Sequence, residues 1–201
     1  MGIALITSKM IAVFVGPGGM AYIGNFRNFI TSLEGISTLA FSSGVVKYVG
    51  ENEDKEKELT KIITTVLVTF LVFSTVLGFL IFVFSDFLCA KFFGNNLQYE
   101  IVFKVVAIVL PFSVVSVLFV SIINGLGSYS KLIYATIISN IVALVLTVLL
   151  IYEFKLVGAL LSTALNPTIL FTINFFYVPK ELQLLSRINL KQYDFSVLKK
   201  L

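Results

Sequence analysis

The sequence contains no histidine and no tryptophan, and its single cysteine is Cys89. Without histidine there is neither an imidazole base nor an imidazole metal ligand, which excludes the usual catalytic triads and zinc sites. One cysteine permits neither an intramolecular disulfide nor a CxxC motif. We interpret Cys89 as a small, buried apolar residue. We therefore expect no cofactor, no metal ion and no enzymatic activity.

Charge is also scarce in this chain. Charged residues make up 13% of the 201 residues and apolar residues 58%, against about 25% and 45–50% in ordinary soluble domains. The mean hydropathy is +1.00. The net charge of +4 comes from basic residues scattered between long apolar runs, whereas nucleic-acid binding needs them gathered on one soluble face. This pattern excludes nucleic acid as a partner. It indicates an integral membrane protein, for which we expect membrane lipids as partners.

Apolar segments long enough for membrane-spanning helices follow one another along the chain. A helix needs about 20 residues to cross the hydrocarbon core. The sequence predicts an all-α membrane lobe of six helices, at about residues 1–15, 20–41, 62–84, 101–123, 132–154 and 156–178. The first segment is short and ends at the Gly16-Pro17-Gly18-Gly19 turn, so we interpret it as a spanning helix that lacks its first turns or begins upstream. Residues 179–201 are predicted to form a basic linker, either in the cytoplasm or at the membrane interface.

The distribution of basic residues predicts the orientation of these helices. Ten Lys and Arg residues fall on one side of the predicted segments and three on the other: Lys47, Lys55, Lys57, Lys61, Lys131, Lys180, Arg187, Lys191, Lys199 and Lys200 against Lys91, Lys104 and Lys155. Because basic loops stay in the cytoplasm, we expect both termini to be cytoplasmic.

The second segment carries two charges at membrane depth, Arg27 and Glu34. A charged side chain costs about 2.5–3.5 kcal/mol at the bilayer centre, so each must face protein or water. At about 100° per residue, polar side chains share one half of this helix. Two interpretations stay open for Arg27 and Glu34: a structural pairing, or the lining of a hydrated cavity. The candidate cavity residues are Lys9, Asn25, Arg27, Asn28, Thr31, Glu34, Thr38 and Asn140.

The alternatives for two of these candidates are structural. Lys9 either contributes to the cavity or extends to the membrane interface. Asn140 belongs to a weak polar stripe with Thr136 and Thr147, which also suits close packing between helices. Besides Lys9, Arg27 and Glu34, no acid, base or nucleophile cluster lies at membrane depth, which again argues against an enzyme.

Four stretches resemble one family of membrane transporters. Residues 16–29 (GPGGMAYIGNFRNF) resemble the GP-x-G-x-A-x-x-G-Q-x-x-N block of the O-antigen translocases, which are Wzx-type flippases. Further matches follow in the same order, at residues 43–48 (SGVVKY), 124–129 (NGLGSY) and 156–161 (LVGALL). The family pattern specifies neither Arg27 nor Glu34, so their proposed roles come from the residues alone.

This resemblance implies membership of the multidrug/oligosaccharidyl-lipid/polysaccharide exporter superfamily. Its members have two six-helix lobes around a central cavity, and this chain is similar to the first lobe of a twelve-helix transporter. The implied function is flipping of an undecaprenyl-pyrophosphate-linked O-antigen oligosaccharide across the bacterial inner membrane by alternating access. The implied partners are the lipid-linked oligosaccharide and either the missing second lobe or a second copy of the chain.

Two other functions stay open at this stage. One is an exporter of the same superfamily that moves a drug or a small cation. The other is a membrane protein that does not transport, either a truncated remnant or a subunit that scaffolds glycan-assembly proteins.

Overall fold

The computed structural model of the chain describes residues 2–53, 55–94, 96–177 and 194–198. These ranges contain α-helices, one short 3₁₀ turn at Leu97–Tyr99 and no strand, which confirms the predicted all-α fold. The helices are α1 (Gly2–Ser37), α2 (Ser42–Glu51), α3 (Glu56–Val83), α4 (Ser85–Phe93), α5 (Glu100–Gly125), α6 (Tyr129–Tyr177) and α7 (Phe195–Leu198).

Helix α6 reverses its direction at Lys155, where the backbone leaves the helical region (φ 50°, ψ −122°). A Cβ added at Gly158 would overlap the carbonyl oxygen of Leu150. In a straight helix these two residues would be about 12 Å apart along the axis. The two arms, residues 129–154 and 156–177, therefore pack against each other, and each is long enough to cross a membrane.

Helix α1 is broken in a similar way at Gly16 (φ 78°, ψ 175°), immediately before Pro17. Positive φ costs glycine nothing because it has no Cβ. The Gly16 break lies beside the Lys155 break, because a Cβ at Gly19 would come within 3.5 Å of Leu156 Cδ1. Both turns are thus at one end of the bundle.

Among the described residues, three helices are long and apolar enough to cross a membrane: α3, α5 with the 3₁₀ turn before it, and α6. Residues 11–37 of α1 together with α2 form a further candidate span that is bent by 49°. Large apolar side chains are exposed along α3, among them Val72, Val76 and Phe79. Such a surface suits contact with lipid tails, and the chain is accordingly a membrane protein.

Helix α5 is the centre of the bundle and packs between α3 and α6. Its buried face includes Val102, Leu110 and Leu118. Helix α3 approaches it so closely that a Cβ at Gly78 would lie 2.6 Å from the carbonyl oxygen of Ala107. Small residues at such contacts allow two helix backbones to approach closely, and dispersion attraction between them stabilises the pair. In lipid this attraction is important because the hydrophobic effect does not drive helices together.

Aromatic rings fill the end of the bundle where α4 ends and α5 starts. Phe103 is completely buried and its ring contacts those of Phe26, Phe29, Phe92 and Phe93. We call these five phenylalanines the aromatic cluster. It joins α1, α4 and α5 and closes this end of the bundle.

The structure differs from the sequence prediction in three places. The second predicted helix ends at Ser37, because Leu39 and Ala40 adopt positive φ (50° and 55°) and break the helix. Helices α2 and α4 occupy residues that were expected to form loops. Within the predicted linker at residues 179–201, residues 194–198 are described and include α7. The rest of that linker, residues 179–193 and 199–201, lies outside the described residues, as does residue 178 at the end of the sixth predicted helix.

Candidate functional site

A cavity of about 540 Å³ lies between α1, α2, α5 and both arms of α6. Its volume is within the roughly 300–1,000 Å³ of small-molecule sites. The lining residues are Glu34, Ser42, Ser43, Val46, Ser113, Ser116, Val117, Val120, Ser121, Asn124, Thr136, Ser139, Asn140, Asn166, Pro167 and Leu170.

Most of the residues that line the cavity have uncharged polar side chains, although apolar atoms make up most of the lining surface. The polar groups are hydroxyls of serine and threonine and the amides of Asn124, Asn140 and Asn166. Among the described residues, Glu34 is the single ionisable lining residue, and neither Lys nor Arg lines the cavity. Such a surface offers hydrogen bonds to a polar guest in a bundle that is otherwise apolar.

The serine hydroxyls in this wall differ in their hydrogen bonding. Ser121 Oγ donates to the carbonyl oxygen of Val117 at 2.9 Å, and Ser113 Oγ donates to that of Val109 at 3.3 Å. These bonds within the helix are the usual solution for serine in an apolar environment. Ser116 is 2% exposed, and its hydroxyl makes no hydrogen bond with the part of the chain that the structure describes.

The cavity occupies one half of the bundle. It is lined by the residues that begin α2, Ser42 and Ser43, and by Asn124 at the end of α5. The aromatic cluster lies at the opposite end of α5. The bundle is therefore open and polar in one half, and closed by packed aromatic rings at the other end.

Two of the eight predicted site residues meet in this cavity. Glu34 of α1 and Asn140 of α6 both line it. Thr38 is buried beside it, and its hydroxyl donates to the carbonyl oxygen of Glu34 at 2.8 Å. That bond helps to end the helix just before the Leu39 break.

The remaining predicted residues lie outside the cavity lining. Five of them are exposed on α1: Lys9, Asn25, Arg27, Asn28 and Thr31. No ion pair joins Arg27 to Glu34 among the described residues, where the pairs are Lys47 with Glu51, Lys61 with Asp194, and Lys104 with Glu100. The structure thus brings Glu34 together with Asn140 and leaves Arg27 on the open surface of α1.

The polar wall contributed by α5 was missed in the sequence analysis. Residues 113, 116, 117, 120, 121 and 124 recur at helical spacing and form one face of α5. The segment as a whole is strongly apolar, which hides the helical spacing of its three serines. Their spacing was the signal that could have found them.

The comparisons with known proteins agree with this membrane architecture. The profile of a family described as polysaccharide biosynthesis protein matches residues 27–196. The lipid III flippases of Escherichia coli strain K12 and Shigella flexneri are each 31% identical to this chain over 109 residues, which is 54% of this chain and 26% of each relative. The match thus spans about a quarter of the length of these relatives, and no solved structure matches the chain. Because the profile covers most of its residues, the chain belongs to the polysaccharide biosynthesis protein family.

Proposed function

We propose that this chain is one lobe of a flippase that moves a lipid-linked oligosaccharide across the bacterial inner membrane. The observation that carries the proposal is the polar cavity between α1, α2, α5 and α6, inside a bundle whose outer surface is apolar. A hydrated sugar head group cannot cross hydrocarbon unaided, since each polar group that loses its hydrogen bonds costs several kcal/mol. The cavity supplies replacement partners. Family membership and the similarity to flippases of lipid III support the same class of substrate.

The mechanism we propose is alternating access. Two lobes rock about the bound head group and expose it first to one side of the membrane and then to the other. The cavity is in the half of the bundle that contains Lys47 and Lys61, the side with the excess of basic residues. By the positive-inside rule that side is the cytoplasm. The arrangement then corresponds to a lobe open to the cytoplasm and closed by the aromatic cluster toward the periplasm.

The exposed polar strip on α1 supports a second lobe, or a second copy of this chain, as the partner. Asn25, Arg27, Asn28 and Thr31 are exposed within a candidate membrane span. Polar side chains at that depth face protein or a water-filled path, because lipid tails offer them no partner. In the proposed complex this strip borders the path between the lobes. Arg27 contacts the anionic phosphate region of the substrate, and Glu34 lines the sugar path or responds to ion coupling.

The substrate we propose is an undecaprenyl-pyrophosphate-linked O-antigen repeat unit, on the basis of the four resembling stretches. A second candidate is lipid III, since the matched relatives are named as its flippases. Export of a drug or small cation is a third, and the carboxylate of Glu34 in a cavity without basic residues is the feature that favours it.

The test is complementation in bacteria that lack either their O-antigen flippase or their lipid III flippase. In the full-length context, Arg27→Ala and Glu34→Gln should each lower surface polysaccharide while the protein level stays normal. Lys91→Ala is the matched control, because Lys91 is exposed on α4 and outside the cavity. Restored glycan in one strain identifies the substrate. Unchanged polysaccharide in both variants removes Arg27 and Glu34 from the site, and restoration in neither strain favours the drug or cation exporter or a non-transporting remnant.

A further inference from the structure

The chemistry of the cavity lining suits the sugar part of a lipid-linked substrate and not its anionic part. In the described part of the chain, the lining has hydroxyl and amide groups and one carboxyl group, that of Glu34, and no basic side chain. An anion that entered would lose its hydration without gaining a cation as partner, and it would come near a carboxyl group. An uncharged sugar would exchange water for hydroxyl and amide partners at little cost.

Ser116 gives this surface a specific donor. Its hydroxyl is buried in the cavity wall and has no partner in the described part of the chain, whereas the hydroxyls of Ser113 and Ser121 already donate to carbonyl oxygens of α5. Buried polar groups in native proteins are nearly always hydrogen-bonded, so an orphaned hydroxyl at a cavity points to a guest that supplies the partner.

We infer that this cavity is a subsite for uncharged sugars, in which Ser116 donates a hydrogen bond to the sugar and Glu34 disfavours acidic sugars. The inference rests on the proposed flippase function and adds the class of sugar that the lobe selects. Pyrophosphate and uronic acid units are excluded from the cavity. Arg27, which is exposed on α1 away from the lining, remains available for the phosphate groups.

The experiment measures protection of a cysteine in the cavity by two sugar amphiphiles. The full chain carries Cys89→Ser and Val120→Cys in lipid nanodiscs, and N-ethylmaleimide, which is uncharged, labels position 120. The probes are octyl glucoside and octyl glucuronide, which differ only by a carboxylate at C6 and are compared at equal membrane-bound amounts. Lys91→Cys, in the same Cys89→Ser background, is the control position outside the cavity.

We expect octyl glucoside to slow labelling at position 120 at a concentration at least tenfold below that required for the glucuronide. Neither probe should change labelling of Lys91→Cys. When Glu34→Gln is added, the concentrations of the two probes that give equal protection should differ by less than about threefold. Added Ser116→Ala should weaken glucoside protection about threefold to tenfold, the range expected for one neutral hydrogen bond. Ser116→Thr retains a hydroxyl and should keep the protection. Ser121→Ala should weaken it less than Ser116→Ala does, because the Ser121 hydroxyl already donates within α5.

The outcomes separate this inference from the proposed function. Equal protection by both probes would overturn the selection of uncharged sugars and leave a sugar cavity in place. Protection by neither probe at position 120 would overturn the sugar cavity itself, and the inference with it. Equal losses in Ser116→Ala and Ser121→Ala would remove the specific role of Ser116.

Discussion

Lys61 Nζ lies 2.6 Å from Asp194 Oδ2, which ties the first turns of α3 to the segment that follows α6. The backbone N–H of Asp194 also donates to Thr65 Oγ1 at 3.2 Å, and Val197 of α7 is buried. These contacts hold the end of the described chain against α3.

We expect Asp194→Asn to lower the Tm of the protein in detergent by a few degrees at most. Both side chains of the ion pair are one-third exposed, so solvent screens the attraction. The loss should disappear in 1 M salt, where the Debye length falls to about 3 Å. The exchanged pair, Lys61→Asp with Asp194→Lys, should recover most of the Tm. A loss that is the same in low and high salt would contradict an electrostatic role.

The close contact between α3 and α5 predicts that alanine in place of Gly78 lowers the stability of the protein, whereas alanine in place of Gly24, outside this contact, does not. Gly78→Ala should lower the free energy of unfolding by about 1–3 kcal/mol, because the added methyl group would press on the backbone of Ala107, which cannot move cheaply. Gly24→Ala is the matched control: Gly24 is helical and has nothing within 4 Å of an added Cβ. It should gain up to about 1 kcal/mol from helix propensity. Thermal unfolding in detergent compares the two, and an equal change in both would show that α3 and α5 are not in close contact.

The backbone conformation at the junction between α1 and α2 predicts that a substitution to glycine there stabilises the protein. Ala40 adopts a φ of 55°, a conformation that costs a residue with a Cβ about 1–2 kcal/mol. Ala40→Gly should therefore raise the Tm. Ala21→Gly, at an exposed position inside α1, should instead cost about 0.5–1 kcal/mol. A fall in Tm for both variants would argue that Ala40 does not have positive φ in the membrane.

Cys89 should react slowly with maleimide in the folded protein. The side chain is buried in α4, its Sγ–H donates to the carbonyl oxygen of Asn96 at 3.3 Å, and burial raises the pKa of the thiol. The raised pKa lowers the fraction of reactive thiolate at neutral pH, so labelling should accelerate as pH rises through the alkaline range. Lys91→Cys in a Cys89→Ser background should label rapidly at pH 7. Labelling of Cys89 as fast as that of the exposed control would contradict its burial.

The candidate site could be predicted only in part. The charge of Glu34 within an apolar segment was a strong signal, because a carboxyl group at that depth needs protein or water around it. Asn140 carried a weaker signal that also fits helix packing, and Ser116 carried almost none in a segment dominated by valine and isoleucine. Helical periodicity places Arg27 and Glu34 on one face of α1 but does not say what lies opposite each turn. In the structure, α5 and α6 face Glu34, whereas Arg27 is exposed.

Hydropathy over long apolar runs and the breaks at Gly16 and Lys155 are local properties of the chain, so the amino-acid sequence alone predicts a helical membrane protein. Three further features are visible only in the folded chain: the helices α2 and α4, the central position of α5, and the polar cavity between α1, α2, α5 and α6. Within lipid, hydropathy places helices in the membrane, but which helices become neighbours depends on close packing such as Gly78 against Ala107, and a single sequence does not specify those contacts.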